Sequence, residues 1–268
     1  MYENAFRKKM RSEANQAPQR TEWLSFNVGQ IMPINTQYLT GGYHERNPSF
    51  HAEDSPWKAR QIQRMLNLRG IIPKSIAEVG CGAGEILVQL AKVLPEAMFD
   101  GFELSPQGFA LCRLRESERV RFHNTDISKS DVSAYDIVLC VDVFEHVEDY
   151  FTFLRSLRAR GRAFFFHIPL DMNVQMVLRS SPMLMVRSSV GHLHYFSKET
   201  AFAALKECGF QVESWFYTPN GVERPTSRKA RVLRLPRKML FSIHQDLTVR
   251  ILGGYSLLVY AIPSHDVR

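Results

Sequence analysis

The stretch Ile76-Ala-Glu-Val-Gly-Cys-Gly-Ala-Gly84 decides the fold of this 268-residue chain. Its apolar first half predicts a buried strand, and its three alternating glycines predict a tight turn. The following residues, Glu85-Ile-Leu-Val-Gln-Leu-Ala91, predict a helix. Glycine permits positive φ and lets a ligand approach the backbone, while a helix N-terminus offers unpaired N–H groups. The stretch therefore predicts a nucleotide-type binding turn at the first strand of an α/β sheet.

The glycine spacing by itself leaves a purely structural turn open. The pattern is G-x-G-x-G, which differs from the G-x-G-x-x-G of dinucleotide sites. No Gly-Lys-Ser/Thr follows, so a P-loop is excluded. The segments farther along the chain therefore have to decide between a binding turn and a structural one.

Polar residues follow three further predicted strands, at 98–104, 119–123 and 135–141. The acids at these strand ends are Glu103, Asp126 and Asp142. Glu103 lies 19 residues after Gly84, close to the spacing at which an acid binds ribose hydroxyls in βαβ folds. Because ligands bind at the carboxyl ends of parallel strands, these acids are candidate cofactor contacts.

The rest of the chain completes one α/β domain over 53–268, preceded by an N-terminal arm or lid at 1–52. A helix is predicted from Ser55 to about Arg69, before the first strand. Later elements are predicted as a fifth strand at 163–168, a helix from 197, a sixth strand at 211–217 and a last strand at 255–261. Residues 170–196 and 219–250 interrupt this alternation and are predicted to be insertions.

These motifs, in this order, resemble the class I S-adenosylmethionine (SAM)-dependent methyltransferases, in particular the group with the Glu-Val-Gly-Cys-Gly-x-Gly pattern. Within that group the chain is similar to small-molecule and ubiquinone-type O-methyltransferases. The resemblance implies a Rossmann-like α/β fold with helices on both faces of a mostly parallel seven-stranded sheet. The implied strand order is 3-2-1-4-5-7-6, with the seventh strand antiparallel.

The resemblance also implies roles for individual residues around SAM. Glu78 would organise the glycine turn and contact the methionine part, Glu103 would bind the ribose diol, and Asp126 would accept a bond from the adenine amine. The full set of implied cofactor contacts is Glu78, Gly80, Cys81, Gly82, Gly84, Glu103, Leu104, Asp126, Ile127 and Asp142.

The acceptor side centres on the segment Asp142-x-x-Glu145-His146 and on the two later histidines His192 and His194. We predict Glu145, His146 and His194 as the catalytic residues, with His146 or His194 as a metal-free base, because an imidazole titrates near neutral pH. A divalent metal held by Asp142, Glu145, His146 and His194 is an alternative that ubiquinone-type enzymes suggest. The metal-free alternative is preferred, since many enzymes of this group carry Glu-His-Val without a metal and Asp142 replaces the expected Glu.

The net charge of +7 is concentrated in a basic run over 224–238 that contains no acid. Apolar residues interleave with it up to Phe241, which predicts an amphipathic helix that Pro236 would end or kink at about Leu235. Such a segment suits peripheral membrane contact or a lipid-linked acceptor, and nucleic acid is a weaker alternative because no RNA-binding module accompanies it. A solvated insertion that packs its apolar side on the core is the alternative that we favour for this segment.

Composition places the chain in a reducing, cytoplasmic environment. The four cysteines are widely spaced and form no C-x-x-C, and the first 20 residues contain no apolar leader. The resemblance and the residues of the predicted acceptor side imply a methyltransferase that acts on a hydroxyl of a small-molecule or saccharide acceptor. An RNA 2′-O-methyltransferase and a non-catalytic SAM-binding protein remain as alternatives.

Overall fold

The sheet of the computed structural model, which describes residues 38–129, 134–224 and 228–264, has seven strands in the order β3-β2-β1-β4-β5-β7-β6. The pairs among β1 to β5 are parallel, and β7 runs antiparallel to both β5 and β6. The strand order and the antiparallel seventh strand predicted from the sequence are therefore confirmed. The strands are β1 Ser75–Val79, β2 Met98–Phe102, β3 Val120–His123, β4 Tyr135–Val141, β5 Gly161–Pro169, β6 Phe210–Thr218 and β7 Ser256–Pro263.

Helices connect the strands and build the two insertions. The helices before and between the strands are α1 Gly42–Arg46, α2 Ser55–Arg69, α3 Glu85–Val93, α4 Pro106–Arg113, α5 Tyr150–Leu157 and α8 Lys198–Glu207. The insertion after β5 contains α6 Val174–Arg179 and α7 Ser181–Ser189. The insertion after β6 contains α9 Asn220–Glu223, α10 Arg228–Val232, α11 Arg234–Ile243 and α12 Gln245–Leu252. Short 3-10 turns lie at Ala52–Asp54, Ile127–Lys129, Phe144–His146 and Arg158–Arg160.

Both faces of the sheet are buried, because successive side chains of a strand point to opposite faces. In β4, Val138 and Cys140 belong to one apolar cluster, whereas Ile137 and Leu139 belong to the other. Helices α2 and α3 cover the second cluster, and α5 and α8 cover the first. The apolar strand interiors thus require helices on both faces of the sheet, the arrangement that the family resemblance implied.

Pro236 accompanies an interruption of the helical segment close to the expected position. We expected the helix to end or kink at about Leu235, and the structure ends α10 at Val232 and begins α11 at Arg234, with Pro236 in the first turn of α11. A proline is tolerated there because the first N–H groups of a helix have no intrahelical partner. In the N-terminal arm, the helix α1 stands where we expected irregular chain. Residues 1–37 of the arm lie outside the described ranges.

Within the described ranges, none of the helices combines the length and the apolar character needed to cross a membrane. The four cysteines, at 81, 112, 140 and 208, are all buried and free of disulfides.

Candidate active site

The glycine turn follows β1 at the point where the sheet changes direction, between the neighbouring strands β1 and β4. Gly80, Gly82 and Gly84 all have positive φ, at 64°, 54° and 76°. A Cβ atom on Gly84 would lie 2.4 Å from the ring of Phe122, so glycine is required there for space as well as for conformation. The turn is thereby held in one shape against the underlying strands.

Glu103, just past the end of β2, fastens this turn. Its Oε2 accepts a 2.7 Å hydrogen bond from the Gly82 N–H, and its Oε1 accepts one of equal length from the Ser105 N–H. The side chain is buried, and burial raises the pKa of its carboxyl above the ordinary value even though these backbone donors oppose the shift. A carboxylate offers about four acceptor sites, so about two remain for a diol.

Glu78 is the second buried acid beside the turn, near the end of β1. Its Oε2 atom has no hydrogen-bond partner, and burial raises the pKa of its carboxyl well above the usual range, although the charge of Lys58 opposes the shift. An unpaired buried oxygen costs free energy unless a ligand satisfies it. Glu78 is therefore positioned to accept from a polar ligand.

A cavity of about 1100 Å³ runs from the glycine turn to the two insertions. It is large enough for a nucleoside-containing cofactor and an acceptor together, since ligand sites usually measure about 300 to 1,000 Å³. The predicted cofactor residues that line it are Glu78, Gly80, Cys81, Gly82, Glu103, Leu104, Asp126, Ile127 and Asp142. Gly84 is not among the described lining residues, because it packs against Phe122 behind the turn.

Asp126 and Leu104 contribute a polar and an apolar side chain to the cavity wall. Asp126 Oδ1 accepts a 2.8 Å hydrogen bond from the Ser128 N–H and so fixes the turn that carries Ile127. Leu104 is about half exposed, at 53%, on the cavity wall. Leu104 follows Glu103, so its exposed side chain offers an apolar surface against which a flat heterocyclic ring can pack.

Asp142, directly after β4, forms a charged network that joins three segments. Its carboxylate contacts Lys58 Nζ at 2.7 Å and His167 Nδ1 at 2.6 Å, and His167 Nε2 lies 2.9 Å from Thr218 Oγ1. Although burial opposes it, the charges of His167 and Lys58 hold the pKa of Asp142 far below its ordinary value. Asp142 has a φ of 53°, which is uncommon for a residue with a side chain. The network thus fixes a strained turn at the cavity wall.

Glu145, His146 and His192 form a cluster in which His146 and His192 line the cavity, whereas Glu145 is buried and is not among the described lining residues. One ligand atom from each lies within 4.8 Å of the others. Neither oxygen of the buried Glu145 carboxyl has a hydrogen-bond partner, and neither does His146 Nδ1. Burial and the negative charge of Asp142 raise the pKa of Glu145 well above its usual range, while burial and the neighbouring His192 lower the pKa of His146 to about 3.

His192 has a further partner that the sequence analysis missed. Its Nδ1 lies 2.6 Å from Oδ2 of Asp171, and both residues line the cavity. Because a carboxylate only accepts, this contact places a proton on Nδ1 and leaves Nε2 as the proton acceptor. Asp171 lies two residues past the end of β5, so the strand-end rule used for the other acids could have identified it.

His194, the predicted alternative base, lies elsewhere. Its Nε2 is 3.0 Å from the carbonyl oxygen of Val147 and 3.2 Å from that of Glu148, and its ring packs against Tyr150. It is not among the described residues that line the cavity. Of the predicted catalytic residues, the structure therefore brings together Glu145 and His146, and it places His192 beside them instead of His194.

The sheet order, the glycine turn and the paired strand-end acids define a Rossmann-like methyltransferase fold. Residues 51–214, more than half of the chain, match the family model described as "Methyltransferase domain". The chain belongs to this family and is a class I SAM-dependent methyltransferase, with S-adenosylmethionine as its cofactor.

Relatives of known activity match only part of the chain. The ubiquinone biosynthesis O-methyltransferase of Vibrio campbellii is 27% identical over 106 residues, which cover 36% of this chain and 44% of that protein. The enzyme of the same name from Pseudomonas savastanoi pv. phaseolicola is 24% identical over 151 residues, or 52% of this chain and 63% of the relative. The chain thus aligns with less than two thirds of either relative's length.

Solved structures of similar fold cover more of the chain at lower identity. Magnesium protoporphyrin IX methyltransferase from Synechocystis PCC 6803 is 15% identical with a TM-score of 0.59, over 86% of this chain and 98% of that one. The plantazolicin methyltransferase BpumL is 17% identical with a TM-score of 0.52, over 87% and 95%. These similarities support the fold assignment alone.

Proposed function

We propose that this protein transfers the methyl group of SAM to a hydroxyl oxygen of a small-molecule acceptor, with His192 as the general base. The observation that carries the proposal is the Asp171–His192 pair, which lines the same cavity as the glycine turn and Glu103. A histidine oriented by a carboxylate and facing a substrate cavity is the usual arrangement of a general base.

The proposed reaction is a single in-line displacement. The acceptor oxygen attacks the sulfonium methyl carbon, the carbon–sulfur bond breaks, and S-adenosylhomocysteine leaves. The hydroxyl proton passes to Nε2 of His192, whose imidazolium Asp171 then stabilises. Most of the rate enhancement comes from holding the oxygen in line with the methyl group. Residues of the insertion after β5, including Met176 and Val186, line the acceptor end of the cavity.

A metal-assisted version of the same transfer uses the same residues. The unpaired oxygens of Glu145, the free Nδ1 of His146 and the nearby His192 form a donor set that suits a divalent cation. They would hold the cation, and its chemistry would be to bind the acceptor oxygen and favour the alkoxide. In that case Asp171 orients His192 as a metal ligand, a role that carboxylates commonly play.

The similarity to ubiquinone biosynthesis O-methyltransferases supports an apolar, hydroxylated ring as acceptor. A saccharide or a lipid-linked hydroxyl compound fits the same proposal, because all of them present a hydroxyl to His192. The four free, buried cysteines support a reducing, cytoplasmic location.

The test is a panel of catechols, phenols, sugars and short RNA oligonucleotides, with release of S-adenosylhomocysteine as the signal. We expect turnover with a small hydroxylated compound and none with RNA. Activity that survives complete chelation and dialysis supports His192 as a metal-free base, whereas loss that Mg²⁺ or Mn²⁺ restores supports the metal-assisted version. Binding of SAM without turnover on any acceptor would contradict the proposed function.

A further inference from the structure

The two insertions pack against each other and form one cap over the cavity. Helix α6 from the first insertion contacts α12 from the second, and α12 contacts α11. The inner side of the first insertion, at Met176, Val186 and Val190, lines the cavity. The outer side of the cap faces away from both the sheet and the cavity.

The outer side is unusually apolar for a protein surface. In α11, Leu235, Met239 and Ile243 follow one another at four-residue spacing and are 66%, 60% and 80% exposed. Residues four apart lie on one side of a helix, so they form a continuous exposed row. The other large apolar residues exposed on the cap are Val174, Val177, Leu178, Leu184, Met185, Val232, Leu240, Leu247 and Ile251. We call these side chains, with the exposed bases beside them, the cap surface.

The cap also carries the positive charge of the molecule. Residues 174–190 and 228–252 contain nine Lys or Arg and one acid, a net charge of +8, compared with +7 for the whole chain. The single acid, Asp246, is neutralised by Lys198 at 2.7 Å. Arg234 and Lys238 are exposed on α11 and flank its apolar row. The remainder of the chain is therefore almost neutral, and the cationic field originates at the cap.

We propose that the cap surface docks on an anionic phospholipid bilayer, with the apolar row of α11 in the headgroup region and its bases against lipid phosphates. Exposed apolar side chains bordered by bases are what an interfacial helix requires. Many large exposed apolar residues on helices that contact one another mark an interaction site. Because no helix in the described ranges crosses a membrane, the docking is peripheral.

A bilayer fits this surface better than a nucleic acid does. Single-stranded nucleic acid is bound by bases together with exposed aromatic rings on which its bases stack. The one Phe, Tyr or Trp within 174–190 and 228–252 is Phe241, and it stacks on Tyr255 with ring centres 4.6 Å apart. Burial of exposed aliphatic side chains in lipid is favourable because it removes apolar surface from water, whereas contact with a phosphate backbone buries little of that surface.

The docking also has a consequence for methyl transfer. This consequence rests on the proposed function, whereas the docking itself does not. The first insertion lines the cavity with its inner side. A docked molecule would therefore hold the cavity close to the lipid, where an apolar hydroxylated acceptor is concentrated.

The experiment is co-sedimentation of the full chain with vesicles of phosphatidylcholine, either alone or mixed with phosphatidylglycerol. We expect binding to the mixed vesicles and none to the neutral ones. Arg234→Glu/Lys238→Glu should lower the partition coefficient at least about tenfold, because the two bases attract an anionic surface and the two introduced acids are repelled by it. Leu235→Ser/Ile243→Ser keeps the charge and should lower it to a similar degree if the row enters the bilayer.

Two matched controls lie outside the cap. Arg60→Glu/Arg121→Glu makes the same charge change, and Ile72→Ser/Leu114→Ser makes the same apolar change at exposed sites. All variants should keep their affinity for S-adenosylhomocysteine, which separates membrane docking from methyl transfer. Absence of binding to mixed vesicles, or an equal loss in the control variants, overturns the proposal. So does tight binding to a single-stranded oligonucleotide that the serine variant leaves unchanged, because that result assigns the surface to nucleic acid.

Discussion

Substitution of Glu103 tests whether the glycine turn and the strand-end acid together hold SAM. In the structure about two acceptor sites of its carboxylate are taken by the N–H groups of Gly82 and Ser105, which leaves about two for the ribose hydroxyls. Hydrogen bonds to a charged group contribute about 1.5 to 3 kcal/mol each. Loss of both in Glu103→Ala, partly offset by water in the space left, should cost about 3 kcal/mol, or about a hundredfold in Kd.

The measurement is isothermal titration calorimetry with S-adenosylhomocysteine, which needs no acceptor. Glu103→Gln should fall between the alanine variant and wild type, because an amide oxygen still accepts one bond. Asp100→Asn is the control: it lies on β2 as well, but its carboxylate contacts His123 and is not among the described cavity residues.

Stability separates a binding defect from a folding defect. Burial raises the pKa of Glu103, so the ionised carboxylate costs the fold free energy, and removing it relieves that cost. The relief offsets the loss of the two hydrogen bonds from Gly82 and Ser105, so the apo melting temperature of Glu103→Ala should stay close to that of wild type. An affinity of Glu103→Ala within about threefold of wild type, far from the expected hundredfold, would refute the assignment of the ribose site.

Three further substitutions test other parts of the site. His192→Asn should lower kcat by about 10² to 10⁴ with little change in SAM affinity, whereas His194→Asn should keep kcat within about threefold of wild type, measured with an accepted substrate. Glu78→Gln should raise the unfolding free energy of the apo protein at about pH 8 by about 1 kcal/mol or more, which a higher melting temperature would show, and it should weaken SAM binding. Gly84→Ala should destabilise the fold by about 2 kcal/mol or more in urea unfolding, because its Cβ would collide with Phe122.

The pH dependence of the Glu78 effect has a defined sign. The pKa of Glu78 is raised in the fold above its ordinary value of 4.5, so the wild type is not penalised below that pH and loses stability as the pH rises towards the raised pKa. The stabilising effect of Glu78→Gln should therefore vanish near pH 4.5 and grow above it. An effect that shrinks as the pH rises would contradict the burial argument.

Equal losses of kcat in His192→Asn and His194→Asn would contradict the assignment of His192 as the base. A Gly84→Ala protein as stable as wild type would contradict the steric argument for Gly84.

Local sequence pattern predicted the strands and the polar residues at their ends, and the family resemblance of these motifs implied the strand order. The glycine turn and Glu103 each lie at the end of an apolar strand, and the carboxyl ends of parallel strands meet at one edge of the sheet. A short stretch of sequence therefore contains both the apolar strand and the polar residue that the strand places at the edge of the sheet. Pro236 shows where such local rules are ambiguous, since a proline both ends helices and begins them.

The sequence by itself determined the fold, the family and the strand-end residues that line the cavity beside the glycine turn. Only the tertiary structure decided which histidines and acids line the rest of the cavity. It paired Lys58 from the helix before the sheet with Asp142, and Asp171 from the end of β5 with His192, and it placed His194 against backbone carbonyls. The physical reason is that these contacts join distant segments. Histidines 192 and 194 are two residues apart in an irregular stretch, and only the packing around them determines which one lines the cavity.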